Sequence, residues 1–141
     1  MLSQKARYAL HAMIYLARKD QSASVAEIAR AEALPQKFLE QIMAALKLRG
    51  LVVARRGAGG GYALSRPAVE INVAQVMRCI DGPLALAPCA SQTAFAPCPD
   101  CKSLEECRIR PVLIAVRDTT SLLLEGVTLE ELAGGRKLSF L

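Results

Sequence analysis

The sequence lacks an apolar run long enough to cross a bilayer. The longest mostly apolar stretch, from Tyr8 to Ala17, has ten residues and includes His11, whereas a membrane-spanning helix needs roughly 18. No small-residue cleavage site follows this stretch, so it is also a poor signal peptide. We therefore expect a cytoplasmic protein that has no membrane partner.

The sequence also lacks recognisable catalytic arrangements. It has one histidine, no serine–histidine pairing and no convincing carboxylate pair. A glycine-rich run at residues 57–61 is not followed by the Lys-Ser/Thr of a Walker loop. In addition, Tyr62 takes the place of the final glycine of the dinucleotide-binding fingerprint. We therefore predict that the protein is not an enzyme.

What the sequence does contain is enough apolar material for one packed domain and an uneven distribution of charge. The 141 residues are 52% hydrophobic and 22% charged, which excludes a disordered or collagen-like chain. Residues 1–66 carry eleven Lys or Arg and four acidic residues, a net charge of +7, whereas residues 67–141 carry seven and nine, a net charge of −2. A basic first half indicates a polyanionic partner, most simply nucleic acid. The alternative is that the charge serves solubility alone.

The first half has the pattern of three helices followed by a hairpin. Helices are predicted over residues 3–19, from Ser24 onward with Glu27 completing a capping box, and from Pro35 to Gly50. The third helix has one apolar face, formed by Phe38, Leu39, Ile42, Ala45 and Leu46. Strands are predicted at residues 51–55 and 62–64, on either side of a glycine-rich tip. The fold class is therefore mainly α, a winged helix-turn-helix.

The second half is predicted to contain three more helices around a long loop. Asn72 caps a fourth helix that Asp81-Gly82-Pro83 ends, and a loop follows from Leu84 to about Ile109. A long helix over residues 110–124 has an apolar seam suited to a second copy, and Thr128 opens a short last helix. The seam consists of Val112, Val116, Thr119 and Leu123. This predicts a DNA-binding region at 1–82, a cysteine-rich sensor loop at 83–109, and a homodimerisation helix with a short C-terminal helix at 110–141.

The third helix and the hairpin hold the residues predicted to contact double-stranded DNA. The second helix of a helix-turn-helix enters the major groove, where Gln can bond adenine, Glu can accept from cytosine and Lys can reach guanine or phosphate. Arginines at the base of the hairpin could enter a narrow minor groove. The predicted DNA-binding residues are Gln36, Lys37, Glu40, Gln41, Arg55, Arg56, Gly59 and Gly60. The alternative is that these are ordinary solvated residues.

Four of the five cysteines form a cluster of candidate metal ligands, with the spacing Cys89-x8-Cys98-x2-Cys101-x5-Cys107. Thiolates suit iron–sulfur clusters, zinc or copper(I). Structural zinc sites more often have two close cysteine pairs, so the single close pair here favours an iron–sulfur cluster. The nearby cations Lys102, Arg108 and Arg110 are expected to lower the thiol pKa values. The alternative is four reduced, unliganded thiols. The fifth cysteine, Cys79, is predicted to be a core residue.

Three segments carry a family resemblance: residues 2–10 (LSQKARYAL), 38–42 (FLEQI) and 56–62 (RGAGGGY). They look like the IscR/NsrR-type family of bacterial winged-helix transcription regulators, in register over essentially the whole chain. The resemblance implies a homodimer that binds palindromic promoter DNA, as a repressor or an activator. It also implies sensing of iron, oxygen, nitric oxide or redox state through a two-iron or four-iron cluster. The family's reading helix maps onto the four residues predicted above, and its wing arginine maps onto Arg56.

The chain departs from the family's ligand pattern in two places. The family's first cysteine corresponds to Phe95, so Cys98 or Cys89 must replace it, and a histidine that some members use corresponds to Arg110. An all-cysteine site is the simplest interpretation. His11 is a lesser candidate, because residues of the first helix reach the partner's cluster in some similar proteins.

Two other interpretations stay open. The DNA-binding fold could carry structural zinc or a metal-free thiol redox switch instead of a cluster. More distantly, the Cys98-Pro99-Asp100-Cys101 segment resembles the active site of glutaredoxin-like thiol–disulfide oxidoreductases. No strand precedes that segment and no βαβ unit surrounds it, which counts against the enzyme.

Overall fold

The computed structural model describes residues 2–135 and 138, and its elements follow the predicted order. The helices are α1 (Gln4–Lys19), α2 (Val25–Ala31), α3 (Gln36–Leu48), α4 (Val73–Asp81), α5 (Arg110–Glu125) and α6 (Leu129–Ala133). The strands are β1 (Val52–Arg55) and β2 (Gly61–Leu64), and single 3₁₀ turns lie at Ala68–Glu70 and Pro88–Ala90. The prediction of a mainly helical winged helix-turn-helix is confirmed. In the described ranges, no helix is both long enough and apolar enough to span a bilayer.

Side-chain caps fix where most helices begin. The Ser3 hydroxyl accepts from the Ala6 amide at 2.9 Å, and the Ser24 hydroxyl accepts from the Glu27 amide at 3.1 Å. Each cap satisfies an amide that has no partner inside the helix. The sequence predicts that Pro35 lies in the first turn of α3. In the structure Pro35 is the N-cap, and the helix begins at Gln36.

Helices α4 and α6 begin side by side, each with a capping box. Asn72 caps α4 together with Gln75, and Thr128 caps α6 together with Glu131, as the sequence predicts for α6. The backbone joins the two starts, since the Val73 amide donates to the Val127 carbonyl at 3.0 Å and the Leu129 amide donates to the Ile71 carbonyl at 2.8 Å. This pairing holds the last helix against the first half of the chain.

The core is shared by α1, α2, α3, α4, β1 and α6. Its largest fully buried side chains are Met13, Leu16, Ile28, Leu39, Ile42, Met43, Leu46, Val52, Ile71, Val76 and Leu129. Each large aliphatic side chain contributes about 1.5–3 kcal/mol through its burial. Leu129 comes from α6, so the last helix packs into the core of the winged-helix region. The division of the chain at residues 82 and 109 stays a prediction.

The wing, defined as β1, β2 and the tip between them, is fastened to the turn between α1 and α2. The strands pair antiparallel from Val52–Leu64 to Arg55–Gly61. Ala23 and Tyr62 exchange two backbone hydrogen bonds, at 2.9 and 2.8 Å, and form a bridge outside the two strands. The turn between α1 and α2 therefore adds a third backbone segment beside β2, and this segment sets the direction of the wing.

Helix α5 buries none of its residues in the chain. It packs against α4 and the Pro88–Ala90 turn, and Arg78 of α4 donates to Glu125 at 2.6 Å and to Ser121 at 3.4 Å. The predicted seam is exposed, with Val112 at 57% and Leu123 at 43% of full exposure. An apolar helix face left open to solvent in this way is typical of a protein–protein interface.

Glu27 links α1 to α2 and gives the fold an acid-sensitive contact. Its carboxylate accepts from the Tyr15 hydroxyl at 2.7 Å and pairs with Lys19. The hydrogen bond from Lys19, followed by that from Tyr15, lowers the pKa of Glu27. A lowered folded-state pKa stabilises the fold above the ordinary carboxyl value of about 4.3, and this contribution is lost as the pH falls through the lowered value.

We therefore expect Glu27→Gln to lower the melting temperature at pH 7, with a difference from the parent that shrinks below about pH 4. Thermal unfolding followed by circular dichroism across this pH range measures it. Glu105→Gln, an exposed change in the long loop, is the control. A Glu27→Gln difference that stays constant with pH would contradict this role.

Candidate functional site

Helix α3 separates a buried face from the predicted DNA-reading face. The side chains of Gln36, Lys37, Glu40 and Gln41 are all exposed. The Gln36 amide donates to the Glu40 carboxylate at 3.4 Å along the exposed face. The opposite face buries Leu39, Ile42, Met43 and Leu46. Met43 replaces the predicted Ala45, which is only half-buried, because the buried stripe follows the contacts with α1, α2 and α4.

An aromatic contact fixes the first turn of α3 on α1. The rings of Tyr8 and Phe38 meet edge to face, with centroids 5.8 Å apart, and Gln4 donates to the Tyr8 hydroxyl at 2.8 Å. Edge-to-face aromatic pairs add about 0.5–1.5 kcal/mol beyond burial. The four exposed polar residues of α3 therefore lie on a helix end that is held in place by its contact with α1.

The wing arginines share an open cleft with a third arginine. Arg55, Arg56 and Arg66 line a cavity of about 570 Å³ between the wing and the end of α1, together with Gln21 and Ser22. Arg66 is not among the DNA-binding residues predicted from the sequence. A signal for it was present, because Arg66 is the last residue of the basic half and lies two residues after the hairpin. Three guanidinium groups around one cleft favour an oxyanion such as a backbone phosphate.

The two predicted wing glycines have different structural settings. A Cβ at Gly59 would meet no atom within 4 Å, whereas a Cβ at Gly60 would lie 2.7 Å from the Gly57 carbonyl oxygen and 2.8 Å from that of Arg55. The Gly59 carbonyl accepts from the Ser22 hydroxyl at 2.5 Å. Gly60 thus closes the turn of the wing, and Gly59 lies at its exposed tip.

The four clustered cysteines line one cavity of about 380 Å³. Cys89 is buried in the Pro88–Ala90 turn, and the other three are half-buried. The Cys98 thiol donates to the Cys89 sulfur across 3.8 Å. Two thiolates on one tetrahedral ion with metal–sulfur bonds of about 2.3 Å also lie about 3.8 Å apart. The donor type and this pair therefore fit a thiolate-bound metal centre.

The remaining thiols stand further apart in this structure. Among the described residues, no three His, Cys, Asp or Glu side chains converge closely enough to hold a single metal ion. Cys101 and Cys107 nevertheless line the same cavity as the Cys89–Cys98 pair.

Two arginines of α5 hold the turn that carries Cys89. The Arg110 guanidinium donates to the Cys89 carbonyl at 3.1 Å, and the Arg117 guanidinium donates to the Ala90 carbonyl at 2.5 Å. Arg110, which the family resemblance aligns with a histidine, here positions the backbone of a cysteine. These bonds connect the cysteine cavity directly to α5.

The expected lowering of the thiol pKa values is wrong for Cys98. Its pKa is raised, first by the hydrogen bond to Cys89 and then by burial. The nearby cations Lys102, Arg108 and Arg110 do not outweigh these two effects on the pKa of Cys98. Cys79 is half-buried against the core, with its thiol 3.6 Å from the Ala45 carbonyl, and burial raises its pKa. His11 is exposed, and its Nδ1 lies 3.1 Å from a carboxylate oxygen of Glu32 at the end of α2.

Comparison with known proteins places this arrangement among transcription regulators. The Rrf2 family, described as iron-dependent transcriptional regulators, matches residues 2–135. An rrf2-like HTH-type transcriptional regulator of Rhodobacter capsulatus is 39% identical over 137 residues, which are 94% of this chain and 91% of the relative.

Solved structures agree with this assignment. CymR, the global cysteine regulator of B. subtilis, superposes with a TM-score of 0.78 at 31% identity, over 97% of this chain and 98% of CymR. IscR of T. potens superposes with a TM-score of 0.71 at 28% identity, over 96% and 88% of the two chains. These proteins are regulators rather than enzymes, which confirms both the predicted resemblance and the non-enzymatic prediction. The chain belongs to the Rrf2 family of transcription regulators.

Proposed function

We propose that the protein is a homodimeric regulator that binds palindromic promoter DNA and senses iron, redox or nitric oxide status through a cysteine-ligated iron–sulfur cluster. The observation that carries the proposal is the connection between the cysteine cavity and α5. The Arg110 and Arg117 bonds join the turn of Cys89 to the helix with the exposed apolar seam. A change in the cavity can therefore alter how two copies are arranged.

The DNA-binding part of the proposal rests on α3 and the wing. Gln36, Lys37, Glu40 and Gln41 contact base edges in the major groove, while Arg55 and Arg56 approach the minor groove and the phosphates. The open setting of Gly59 and the tight turn at Gly60 let the tip come close to the backbone of the DNA. Arg66 adds a third cation to the same cleft.

The homodimer is proposed from the exposed face of α5. Two copies related by a twofold axis cover each other's seams and place their α3 helices on one side of the dimer. Palindromic half-sites about 34 Å apart would match such a pair. The spacing between the two α3 helices then depends on the packing of the α5 helices.

The residues proposed to hold the cluster, of the two-iron or four-iron type, are Cys89, Cys98, Cys101 and Cys107. When bound, such a cluster supplies a centre that oxidants and nitric oxide attack. Arg110 and Arg117 keep the Cys89 turn against α5. An ordered loop and a disordered loop therefore favour different arrangements of the two α5 helices in the dimer. Regulation requires that the occupied and empty states differ in DNA affinity.

Metal analysis of anaerobically purified protein tests the cluster. We expect near-equal iron and sulfide with visible absorption bands, and loss of most of the iron in Cys101→Ser and Cys107→Ser. Cys79→Ser removes a thiol outside the cavity and is the control. About one zinc per chain, without colour, would favour structural zinc. A protein that stays colourless and metal-free after reconstitution with iron and sulfide would favour a metal-free thiol redox switch.

Substitutions in α3 and the wing test the DNA surface. Gln41→Ala and Arg56→Ala are each expected to weaken binding to an operator duplex, selected from a random pool by the parent, by about tenfold, from roughly 1–3 kcal/mol per contact. Arg56→Ala should also reduce the salt dependence by about one counterion. Arg108→Ala removes the same charge from the long loop and serves as the control. Parent-like binding by both variants would overturn the assignment.

A further inference from the structure

We propose that Cys89 and Cys98 form a reversible intramolecular disulfide when the cavity holds no metal, so that the sensor loop has a covalent oxidised state. The inference rests on the proposed function in taking this loop as the sensor, but it does not require a cluster to bind. It concerns one pair among the four clustered thiols.

The geometry selects this pair over the others. The two sulfurs are 3.8 Å apart and hydrogen-bonded, and a disulfide needs about 2.05 Å. The segments are already tied together, because the Ala96 amide donates to the Pro88 carbonyl at 3.3 Å. Residues 91–109 contain no helix or strand that must break when Cys98 approaches Cys89.

The sequence alone favours a different pair. Cys98 and Cys101 form the CxxC spacing, which is the usual form of a redox disulfide. In the structure, the Cys101 amide donates to the Cys98 carbonyl at 3.0 Å, which closes a turn between them. The sulfur of Cys98, however, makes its hydrogen bond to Cys89, nine residues away. The structure therefore assigns Cys98 a partner that the motif does not indicate.

Exposure sets the order of the chemical steps. Cys98 is half-buried, whereas Cys89 is 3% exposed. With glutathione disulfide as the oxidant, the Cys98 thiolate attacks one glutathione sulfur and releases the first glutathione thiolate. The Cys89 thiolate then attacks the Cys98 sulfur and releases the second. The two cysteines lose two electrons and two protons, and one glutathione disulfide becomes two glutathione thiols.

The disulfide would have two consequences in this loop. It removes two of the four candidate ligand thiolates, so the oxidised protein cannot form the four-cysteine site until it is reduced. It also fastens the segment around Cys98 to the turn that Arg110 and Arg117 hold on α5. The reduced metal-free loop and the oxidised loop are thus two distinct states.

The experiment uses full-length protein made metal-free with a chelator, treated with glutathione disulfide and then alkylated at its free thiols. Chymotrypsin cleaves after Phe95 and so separates Cys89 from Cys98. A second protease that cleaves before aspartate cuts at Asp100 and separates Cys98 from Cys101. Non-reducing mass spectrometry is expected to find the Cys89 and Cys98 peptides joined, with Cys101 and Cys107 alkylated. Dithiothreitol should separate the joined peptides.

Two variants make the assignment specific. Cys101→Ser should form the disulfide as the parent does, and Cys89→Ser should leave Cys98 joined to glutathione. A dominant Cys98–Cys101 disulfide, or glutathione on Cys98 in the parent with Cys89 free, would overturn the proposal. This measurement is made on metal-free protein, so a negative result counts against the disulfide and not against the cluster. Failure to find iron and sulfide in the metal analysis would count against the cluster alone.

Discussion

Gly61→Ala is expected to lower the free energy of unfolding by about 3 kcal/mol and to abolish most of the DNA affinity. A Cβ at this position would lie 2.1 Å from the Ala23 carbonyl oxygen, and the φ of +136° is one that L side chains rarely adopt. The wing must then leave the turn between α1 and α2. The two hydrogen bonds between Ala23 and Tyr62 are lost with it.

Gly59→Ala is the matched control for the loss of stability. It adds the same methyl group two residues away, where no atom lies within 4 Å, and we expect a change within about 0.5 kcal/mol. Thermal unfolding gives the stability of both variants, and hydrogen exchange of the Tyr62 amide reports whether the wing stays fastened. Equal stability and equal exchange in both would show that the wing does not depend on this close approach.

Val116→Glu is expected to convert the protein to a monomer at micromolar concentration. Val116 lies near the middle of the exposed α5 seam. In a twofold dimer the change would place two like charges in an apolar interface. A penalty of about 3 kcal/mol would raise the dimer dissociation constant by more than about 100-fold. The monomer should keep its fold, because the Val116 side chain is exposed in the single chain.

Leu48→Glu is the control for the dimer. Leu48 is the most exposed large hydrophobic side chain of α3, at 87%, and lies outside α5. Analytical ultracentrifugation of both variants and the parent gives the oligomeric state, and circular dichroism confirms the fold. A parent-like dimer for Val116→Glu would mean that the seam does not form the interface.

Local signals in the sequence predict most of the elements. Ser24, Asn72 and Thr128 carry caps whose hydrogen bonds depend on nearby residues, so the starts of α2, α4 and α6 follow from spacing alone. Gly50, with a φ of +73°, ends the α3 region as predicted. Each of these features is settled within one turn of helix.

The features that sequence reasoning missed depend on residues distant in the chain. Leu129 packs into the core because Val73 and Val127 pair across more than fifty positions, and no local pattern contains that pairing. Arg66 joins the wing arginines only once the hairpin folds onto the end of α1. In the same way, Cys89 and Cys98 come into contact because two loop segments meet in space, and the cysteine spacing does not indicate that contact.

The central claim is that the state of the cysteine cavity controls DNA binding, and one measurement tests it most directly. The same anaerobic preparation is divided into iron–sulfide-loaded and chelator-treated protein, and both are titrated onto the selected operator duplex by fluorescence anisotropy. We expect the two affinities to differ by about tenfold or more, in either direction, which is a coupling of about 1.4 kcal/mol. Identical affinities with and without the metal would contradict the account.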